Sequence, residues 1–409
     1  MKTGLLTILL LTCWTLSFGQ NMYQIYEDSV LNNQSFRLTS SNDFSTSSIN
    51  NMMTSKFIFG GHISPEIKAD NIQKDFNAMG GEFNQKIEYF NLNSLKNWSN
   101  VGLTFAISDN NFISSNYTPD LWNLAFYGNS NYLGDTLDLS YTHFQYLHFQ
   151  KYEVGFYDKR TQSYVRFGLL TGNRSINYQL GKSLFHTASD GSSIDAQLFG
   201  EGFNTDSVSG YFDVNGYGAS IEINHNFIFN KDPKNQQVVN FNLSNIGAIR
   251  WSKNTSYQII DSAFNFNGLP YNNLTNFEDY TTDDLLDTLG VSVGQTTRVE
   301  ALPIRISIQK IPNRLNTAKF QSILGFKAIL LPDYRPLIYG GVYYKPIDNL
   351  GLSTRLIYGG FSGLKMGLTA NFWSGNKFYI GVGTNDLVGI ISEQHGYGKS
   401  FSLSIQANL

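Results

Sequence analysis

The sequence predicts an all-β fold: a transmembrane, antiparallel, up-and-down β-barrel of about 14 strands, within a range of about 12 to 16. Three observations predict it. Long segments alternate between apolar and polar residues, the N-terminus resembles an export signal, and the composition is rich in aromatic residues and poor in charge. We expect an even number of strands because single-chain bacterial barrels have even numbers.

Residues 400–409 (SFSLSIQANL) alternate most clearly. Phe401, Leu403 and Ile405 fall on one face and serines on the other, because side chains on a strand point alternately to its two sides. About ten residues allow a tilted strand to cross a bilayer, and a closing strand at the C-terminus is expected of an outer-membrane barrel. The same period recurs at residues 101–108, 217–229, 304–309, 319–330 and 364–372. Turn signals stand at Pro332-Asp333, Asp348-Asn349 and Ser374-Gly375-Asn376, which suit short periplasmic hairpin turns.

The N-terminus has the pattern of a cleaved signal peptide over residues 1–19. Lys2 supplies a positive charge, residues 5–11 form an apolar run, and Ser17 and Gly19 supply the small residues of a cleavage site. We therefore expect export and residence in the cell outer membrane. The lone cysteine, Cys13, lies inside this signal, so the mature chain is expected to form no disulfide and no thiolate metal site.

The composition agrees with strands that have one apolar and one polar face. Aromatic residues make up 15% and charged residues 15% of the 409 residues, and the mean hydropathy is −0.22. The net charge is −3 and the chain has no basic cluster, which argues against nucleic-acid binding.

After the signal we expect two regions. Residues 20–55 are predicted to be an irregular extension or a first strand with a weak pattern, and residues 56–409 the barrel domain. A short helix is predicted at residues 118–128, because Thr118 suits the N-cap, Pro119 the first turn and Gly128 the stop. This helix would be a plug inside the barrel, a periplasmic turn or part of a surface loop.

Residues 261–297 form the longest stretch without a clear strand period. They carry Glu278, Asp279, Asp283, Asp284 and Asp287. Long loops are often functional, so a lid over the barrel mouth and a solvated loop are both open. The acidic spacing matches no EF-hand, and the sequence implies neither a metal nor another cofactor.

The sequence contains no motif that marks an enzyme. Its six histidines form no zinc-binding pair, and there is no Gly-x-Ser-x-Gly elbow, Walker loop or dinucleotide fingerprint. We therefore predict a protein that is not an enzyme. An outer-membrane lipid hydrolase whose Ser, His and acid or amide come from separate strands is the remaining alternative.

Charged residues on the polar faces are the candidate lumen-lining residues. A charge on the lipid side costs about 2–4 kcal/mol near the midplane, so these side chains are predicted to point inward. They either line a permeation path or pair with one another to fill a closed barrel. They are Glu222, Arg305, Lys327, Arg355 and Lys365. Aromatic residues near strand ends are expected to form interfacial girdles, namely Tyr339, Tyr343, Tyr344, Tyr358, Trp373 and Tyr379.

Four phrases carry a family resemblance: residues 56–61 (KFIFGG), 121–134 (LWNLAFYGNSNYLG), 243–251 (LSNIGAIRW) and 381–387 (GVGTNDL). With a signal that ends in Gly-Gln, they resemble an uncharacterised family of outer-membrane β-barrel proteins from Bacteroidota, a domain of unknown function. The resemblance implies an outer-membrane barrel and supplies no catalytic residues. More distantly, the layout is similar to long-chain fatty-acid transporter barrels and to type IX secretion barrel proteins. In that scheme residues 56–61 and the short helix would form an internal plug or a constriction.

Three hypotheses for function follow, all of which place the protein among outer-membrane lipids. The first is transport or channel-like passage of small solutes, hydrophobic ones included. The second is a plugged structural or docking barrel that binds a periplasmic or secretion-system protein. The third is the lipid hydrolase.

Overall fold

The structure is a computed structural model that describes residues 25–26, 34–71, 73–75, 77–91, 100–205, 210–230, 232–252, 255–266 and 291–409. The predicted signal peptide lies outside the described residues. So do residues 267–290, which include Glu278, Asp279, Asp283, Asp284 and Asp287 of the predicted loop.

The described residues form twenty strands, numbered in chain order, and four α-helices. The strands are β1 Gln34–Thr46, β2 Asn77–Asn91, β3 Val101–Tyr117, β4 Thr136–Asp138, β5 His143–Asp158, β6 Ser163–Leu180, β7 Leu184–Thr187, β8 Ile194–Asn204, β9 Gly216–Phe229, β10 Gln237–Trp251, β11 Thr255–Phe266, β12 Val291–Thr296, β13 Val299–Ala301, β14 Arg305–Ile311, β15 Phe320–Ile329, β16 Arg335–Ile347, β17 Leu350–Gly360, β18 Leu364–Ser374, β19 Phe378–Thr384 and β20 Gly398–Asn408. The helices are α1 Asn51–Phe59, α2 Pro65–Ala69, α3 Pro119–Tyr127 and α4 Leu387–Ile391, with 3₁₀ turns at Asn129–Asn131 and Pro233–Asn235.

A closed antiparallel barrel of 14 strands is formed, which confirms the predicted fold class. The barrel strands are β1, β2, β3, β5, β6, β9, β10 and β14 to β20. Strand β20 pairs with β1 along eleven residue pairs and closes the sheet. Closure pairs the edges of the sheet, which is the condition for a sheet to cross lipid. The other six strands extend the sheet within the loops.

The two ends of the barrel differ in the length of their connections. We call the end that holds Gln34 and Asn408 the short-turn end, because strands there are joined by turns such as residues 159–162, 348–349 and 375–377. The loop end carries the connections at residues 47–76, 118–142, 181–215 and 252–304. This asymmetry is typical of outer-membrane barrels, whose short turns are periplasmic. The Pro332–Asp333 turn is an exception to its expected place, because residues 330–334 join β15 to β16 at the loop end.

The outward faces of the barrel strands are largely apolar and exposed. On β17 and β18, Leu352, Leu356, Tyr358, Leu364 and Leu368 face outward, and the alternate residues are buried. The same alternation on β20 buries its serines and places its apolar residues outside. An apolar outer surface around a closed sheet is what lipid contact requires.

Among the described residues, no helix is long and apolar enough to span a membrane.

The predicted helix is confirmed as α3. The Thr118 hydroxyl oxygen accepts the Leu121 N–H at 3.1 Å, and Gly128 ends the helix with φ 74°. Its Trp122 ring stacks on Tyr117 with centroids 6.0 Å apart, and Tyr117 is on the outward face of β3. Helix α3 is therefore a loop helix packed against the outer wall, not a plug.

The N-terminal regions are placed differently from the plug scheme. Residues 20–55, expected to be an extension or a first strand, contain β1. Residues 56–61 end α1 at the loop end, and Phe57, Ile58 and Phe59 are exposed there. These residues consequently do not plug the lumen.

Candidate functional site: a filled lumen and an apolar groove

Seven charged side chains form an ion network inside the barrel toward the short-turn end, which we call the lower cluster. Its members are Arg37, Lys86, Glu88, Lys151, Glu153, Arg166 and Glu222. Glu222 contacts Lys86 at 2.9 Å and Lys151 at 3.3 Å, and it accepts the Tyr164 hydroxyl at 2.9 Å. The period of two brings these residues inward from β1, β2, β5, β6 and β9. The lower cluster therefore ties five strands together across the lumen.

A second network, the upper cluster, lies nearer the loop end. It comprises Asp43, Glu82, Arg305, Lys327 and Lys365. Glu82 is bound by both Arg305, at 2.6 Å, and Lys327, while Lys365 contacts Asp43 at 3.4 Å. Asp386, in the loop after β19, lies close to Lys365 and Asp43. Burial raises the pKa of the Asp386 carboxyl, although the hydrogen bond that this carboxyl accepts from the Gly389 N–H acts in the opposite direction.

The five predicted residues all lie on the inward side, and four belong to the two clusters. Glu222 is in the lower cluster; Arg305, Lys327 and Lys365 are in the upper cluster. Arg355 is 2% exposed and donates to Thr369 at 2.8 Å. Whether they guide a solute stays a prediction. The sequence analysis does not predict the remaining members of the two clusters. Lys86 and Glu88 nevertheless stand two residues apart on one face of β2, and Lys151 and Glu153 stand two apart on one face of β5.

The loop end of the lumen is filled by an apolar cluster that we call the apolar cap. It reaches from β2 and β3 across to the turn after β17. Its buried members are Ala78, Phe112, Leu147, Phe149, Leu170, Phe203, Ile249, Trp251, Leu302, Ile329, Leu331 and Phe361. The cap and the two clusters thus occupy the lumen at three levels.

The lumen beside β15 to β19 holds a cluster of aromatic and aliphatic side chains in addition to the inward charges Lys327, Arg355 and Lys365. We call Ile323, Leu337, Tyr339, Tyr343, Ile357 and Trp373 the aromatic wall. Tyr339 lies directly over Gly325 and Tyr343 over Gly351, where any side chain would overlap the ring. The expectation of girdles is therefore wrong for Tyr339, Tyr343 and Trp373, which are at most 7% exposed, whereas Tyr344 and Tyr358 are exposed on the outside.

The N-terminal segment contributes at the short-turn end. Tyr26 donates its backbone N–H to Pro312 at 2.9 Å and accepts that of Arg314 at 3.0 Å. Its ring is 2% exposed and packs against Val238 and Ile311. A cavity of about 190 Å³ lies between Ile25, Tyr26 and the two clusters, with a largely polar lining.

An apolar groove of about 300 Å³ lies on the outer wall at the loop end, and we call it the rim groove. Its floor consists of outward side chains of β2, β3, β5 and β6, and α3 and α1 border it. The lining includes Phe57, Met79, Tyr117, Leu121, Trp122, Ala125, Phe126, Phe144, Tyr178 and Leu180. Few polar groups reach the surface of the rim groove, so it suits an apolar ligand.

A polar patch interrupts the apolar outer wall just short of the rim groove. Asp109 on β3 accepts His148 Nε2 at 2.8 Å and the Tyr211 hydroxyl at 2.9 Å, and Tyr146 donates to Asn111 at 2.7 Å. Asp109 and Asn111 stand on the outward face of β3, where lipid would be unfavourable for a carboxylate. The patch therefore marks one edge of the lipid-facing band, and the rim groove lies beyond it toward the loop end.

The structure brings together a Ser, a His and an Asp that the sequence did not mark as a set. The Ser114 hydroxyl is 3.3 Å from His143 Nε2, and His143 Nδ1 is 3.1 Å from Asp333. Ser114 is fully buried, however, and donates to the Pro332 carbonyl at 2.6 Å. A nucleophile needs access to substrate and a base for its proton. These contacts instead fasten the turn at residues 330–334 into the barrel mouth. Within the described residues, no group of three or more His, Cys, Asp or Glu side chains is arranged to hold a metal.

No family model matches the chain, and no curated protein matches it. Solved structures are similar. A FadL homologue from Pseudomonas aeruginosa is 10% identical, with 92% of this chain and 89% of that chain covered and a TM-score of 0.41. The toluene transporter TodX from Pseudomonas putida is 10% identical, with 96% and 95% covered and a TM-score of 0.35. The translocator domain of the autotransporter NalP from Neisseria meningitidis is 9% identical, with 92% and 88% covered and a TM-score of 0.31. Likenesses this weak say nothing about substrate or mechanism.

Proposed function

We propose that the protein is an outer-membrane barrel that takes up small apolar solutes, and that the rim groove is where they first bind. The rim groove carries the proposal: its volume of about 300 Å³ and apolar lining suit a molecule the size of one or two aromatic rings. Trp122 and Phe126, with ring centroids 4.2 Å apart, offer aromatic surface for such a ligand.

The position of the rim groove supports the same solute class. It lies on the outer wall beyond the polar patch, so an apolar molecule reaches it from the medium or from the membrane surface. The apolar cap and the two ion clusters fill the lumen, which disfavours a wide water-filled path for polar solutes.

Binding of the apolar fluorescent probe N-phenyl-1-naphthylamine to the purified, refolded protein tests this proposal. Ala125→Trp fills the rim groove and should weaken probe binding at least about tenfold, because a ligand excluded from a pocket loses its apolar burial. Ala263→Trp on the exposed face of β11 is the matched control and should bind normally. Equal probe affinity in the two variants would place binding elsewhere and contradict the proposal.

A second function, a plugged docking barrel for a periplasmic or secretion-system protein, is favoured by the filling of the lumen at three levels. The Tyr26 segment at the short-turn end is where such a partner would engage. Single-channel conductance of the refolded protein separates the two ideas in part. Discrete large steps would contradict a plugged barrel. A silent barrel that also fails to bind the probe would favour docking over uptake.

A further inference from the structure

The cavity inside the lumen is lined by two kinds of polar side chain. One kind comprises charged residues from the two clusters. The other is a row of side-chain amides: Asn240 donates to Asn226 at 2.8 Å, Gln309 donates to Asn240 at 3.3 Å, and the Tyr339 hydroxyl donates to Gln309 at 2.7 Å. All four residues line the cavity. A ligand there would meet both charged groups and neutral donors and acceptors.

The charged residues around this cavity are predominantly basic. Among the described residues, five basic side chains line it and two carboxylates do, Glu88 and Glu222. The five are Arg37, Lys86, Lys151, Arg305 and Lys327. Glu82 and Glu153 contact these bases without lining the cavity, and Arg166 adds a sixth base through Glu88. Within the described part of the chain, six bases against four acids leave an excess of positive charge around the cavity, which is costly away from bulk water. Asp43 and Lys365, farther toward the loop end, offset each other.

Three buried hydrogen-bond donors that line the cavity also lack a partner among the described residues. Asn224 is 3% exposed and lines the cavity, and its Nδ2 has no hydrogen-bond partner among the described residues; the same holds for Arg305 Nε and the Ser244 hydroxyl. Ser244 pairs in register with Arg305, and Asn224 stands on the neighbouring strand β9. Buried donors normally have partners, so the cavity has to supply these three with an acceptor, either a water molecule or a bound ion.

The volume admits a small acceptor. A cavity of about 190 Å³ has room for about six water molecules at about 30 Å³ each. A phosphate or acetate ion with a few waters therefore fits.

We infer that this cavity is a binding site for a small oxyanion, either phosphate or a carboxylate. The basic side chains, which include Arg305, and the Asn224 amide would hold it. The oxyanion balances the excess positive charge and accepts the unfilled donors. The site is separate from the rim groove, and it stands or falls independently of uptake of apolar solutes.

The test refolds the full chain in detergent with sodium phosphate, sodium acetate or sodium HEPES, at equal pH, sodium concentration and ionic strength. HEPES is the bulky reference anion, because its sulfonate can enter the cavity only together with an attached piperazine ring. A ligand that binds only the folded protein raises the unfolding midpoint with concentration, here by at least about 2 °C. A shift with phosphate alone, acetate alone or both supports the site and identifies the anion. Equal midpoints in all three salts would overturn the inference.

Asn224→Asp locates the effect. The new carboxylate supplies the missing negative charge, so this variant should be at least as stable as the parent in HEPES and should lose the response to phosphate and acetate. Asn376→Asp, the same change at an exposed turn, should keep the response. If the unfolding midpoint of Asn224→Asp still rose with phosphate or acetate, or if this variant failed to fold, the inferred excess of positive charge would be contradicted. Asn224→Leu, which removes the donor without adding charge, should fold and respond less; a full response there would also overturn the site.

Discussion

The two sides of the lumen are stabilised by different interactions, ion pairs on one side and aromatic packing on the other. Beside β1 to β9 the inward positions carry the lower cluster. Each carboxylate of this cluster contacts at least two basic side chains, or one basic side chain and one hydroxyl group. Beside β15 to β19 they carry the aromatic wall, in which rings lie over glycines of the next strand. Both sides obey the same alternation. The difference shows that alternation decides which residues face inward, whereas the neighbours across the strand decide what those residues do.

The largest expected effect comes from breaking the ionic side. Glu222→Gln keeps the shape of the side chain but removes the charge that Lys86 and Lys151 share. Leaving buried bases without their acid should lower the free energy of unfolding by about 3–5 kcal/mol. Urea unfolding of the refolded protein, followed by tryptophan fluorescence and by gel migration before and after heating, measures the loss.

The matched control is the same change in an exposed pair. Glu393 is 2.9 Å from Lys399, and both side chains are more than half exposed. Glu393→Gln should therefore cost less than about 1 kcal/mol. Similar losses for the two variants would mean that the lower cluster is solvated and does not hold the barrel together.

An intermediate effect is expected on the aromatic side. Gly351→Ala places a methyl group against the Tyr343 ring, which is fully buried and must shift. Overpacking of this kind costs about 1–3 kcal/mol in unfolding experiments. Gly363→Ala adds the same methyl group where no atom lies within 4 Å, and it should change stability by less than about 0.5 kcal/mol. Equal stability of the two variants would show that the aromatic wall yields easily.

The two sides also show which inward residues can be predicted from the sequence and which cannot. Strands with an apolar outside, such as β17 and β18, reveal their inward charges by parity, and Lys365 was found in this way. Strand β3 carries Asp109 and Asn111 outward, which obscures its alternation, and pairs such as Arg166 with Glu88 join residues far apart in sequence. Only the closed barrel brings such partners together.

The aromatic wall was misassigned for a different reason. Tyrosine and tryptophan near strand ends are typical of girdles, but consecutive residues on a strand face opposite sides. Tyr343 and Tyr344 therefore could not both face lipid, and parity alone would have placed one of them inside. The glycines opposite the rings, Gly325 and Gly351, could not be matched to them before the pairing of β15, β16 and β17 was known.

The smallest expected effect lies outside the lumen, where α3 packs on the outer wall of the ionic side. Thr118 accepts the Leu121 N–H and donates to the Asp138 carbonyl at 2.6 Å, so Thr118→Ala removes both bonds. Losing an N-cap costs about 1 kcal/mol, which corresponds to about fivefold faster hydrogen exchange in α3, while the urea midpoint stays unchanged. Exchange measured by mass spectrometry over residues 119–127 reports this. Thr118→Ser retains the hydroxyl and should exchange like the parent. If Thr118→Ala exchanged at the parent rate, packing of Trp122 on Tyr117 rather than the cap would hold the helix, and the rim groove would owe its shape to the barrel wall alone.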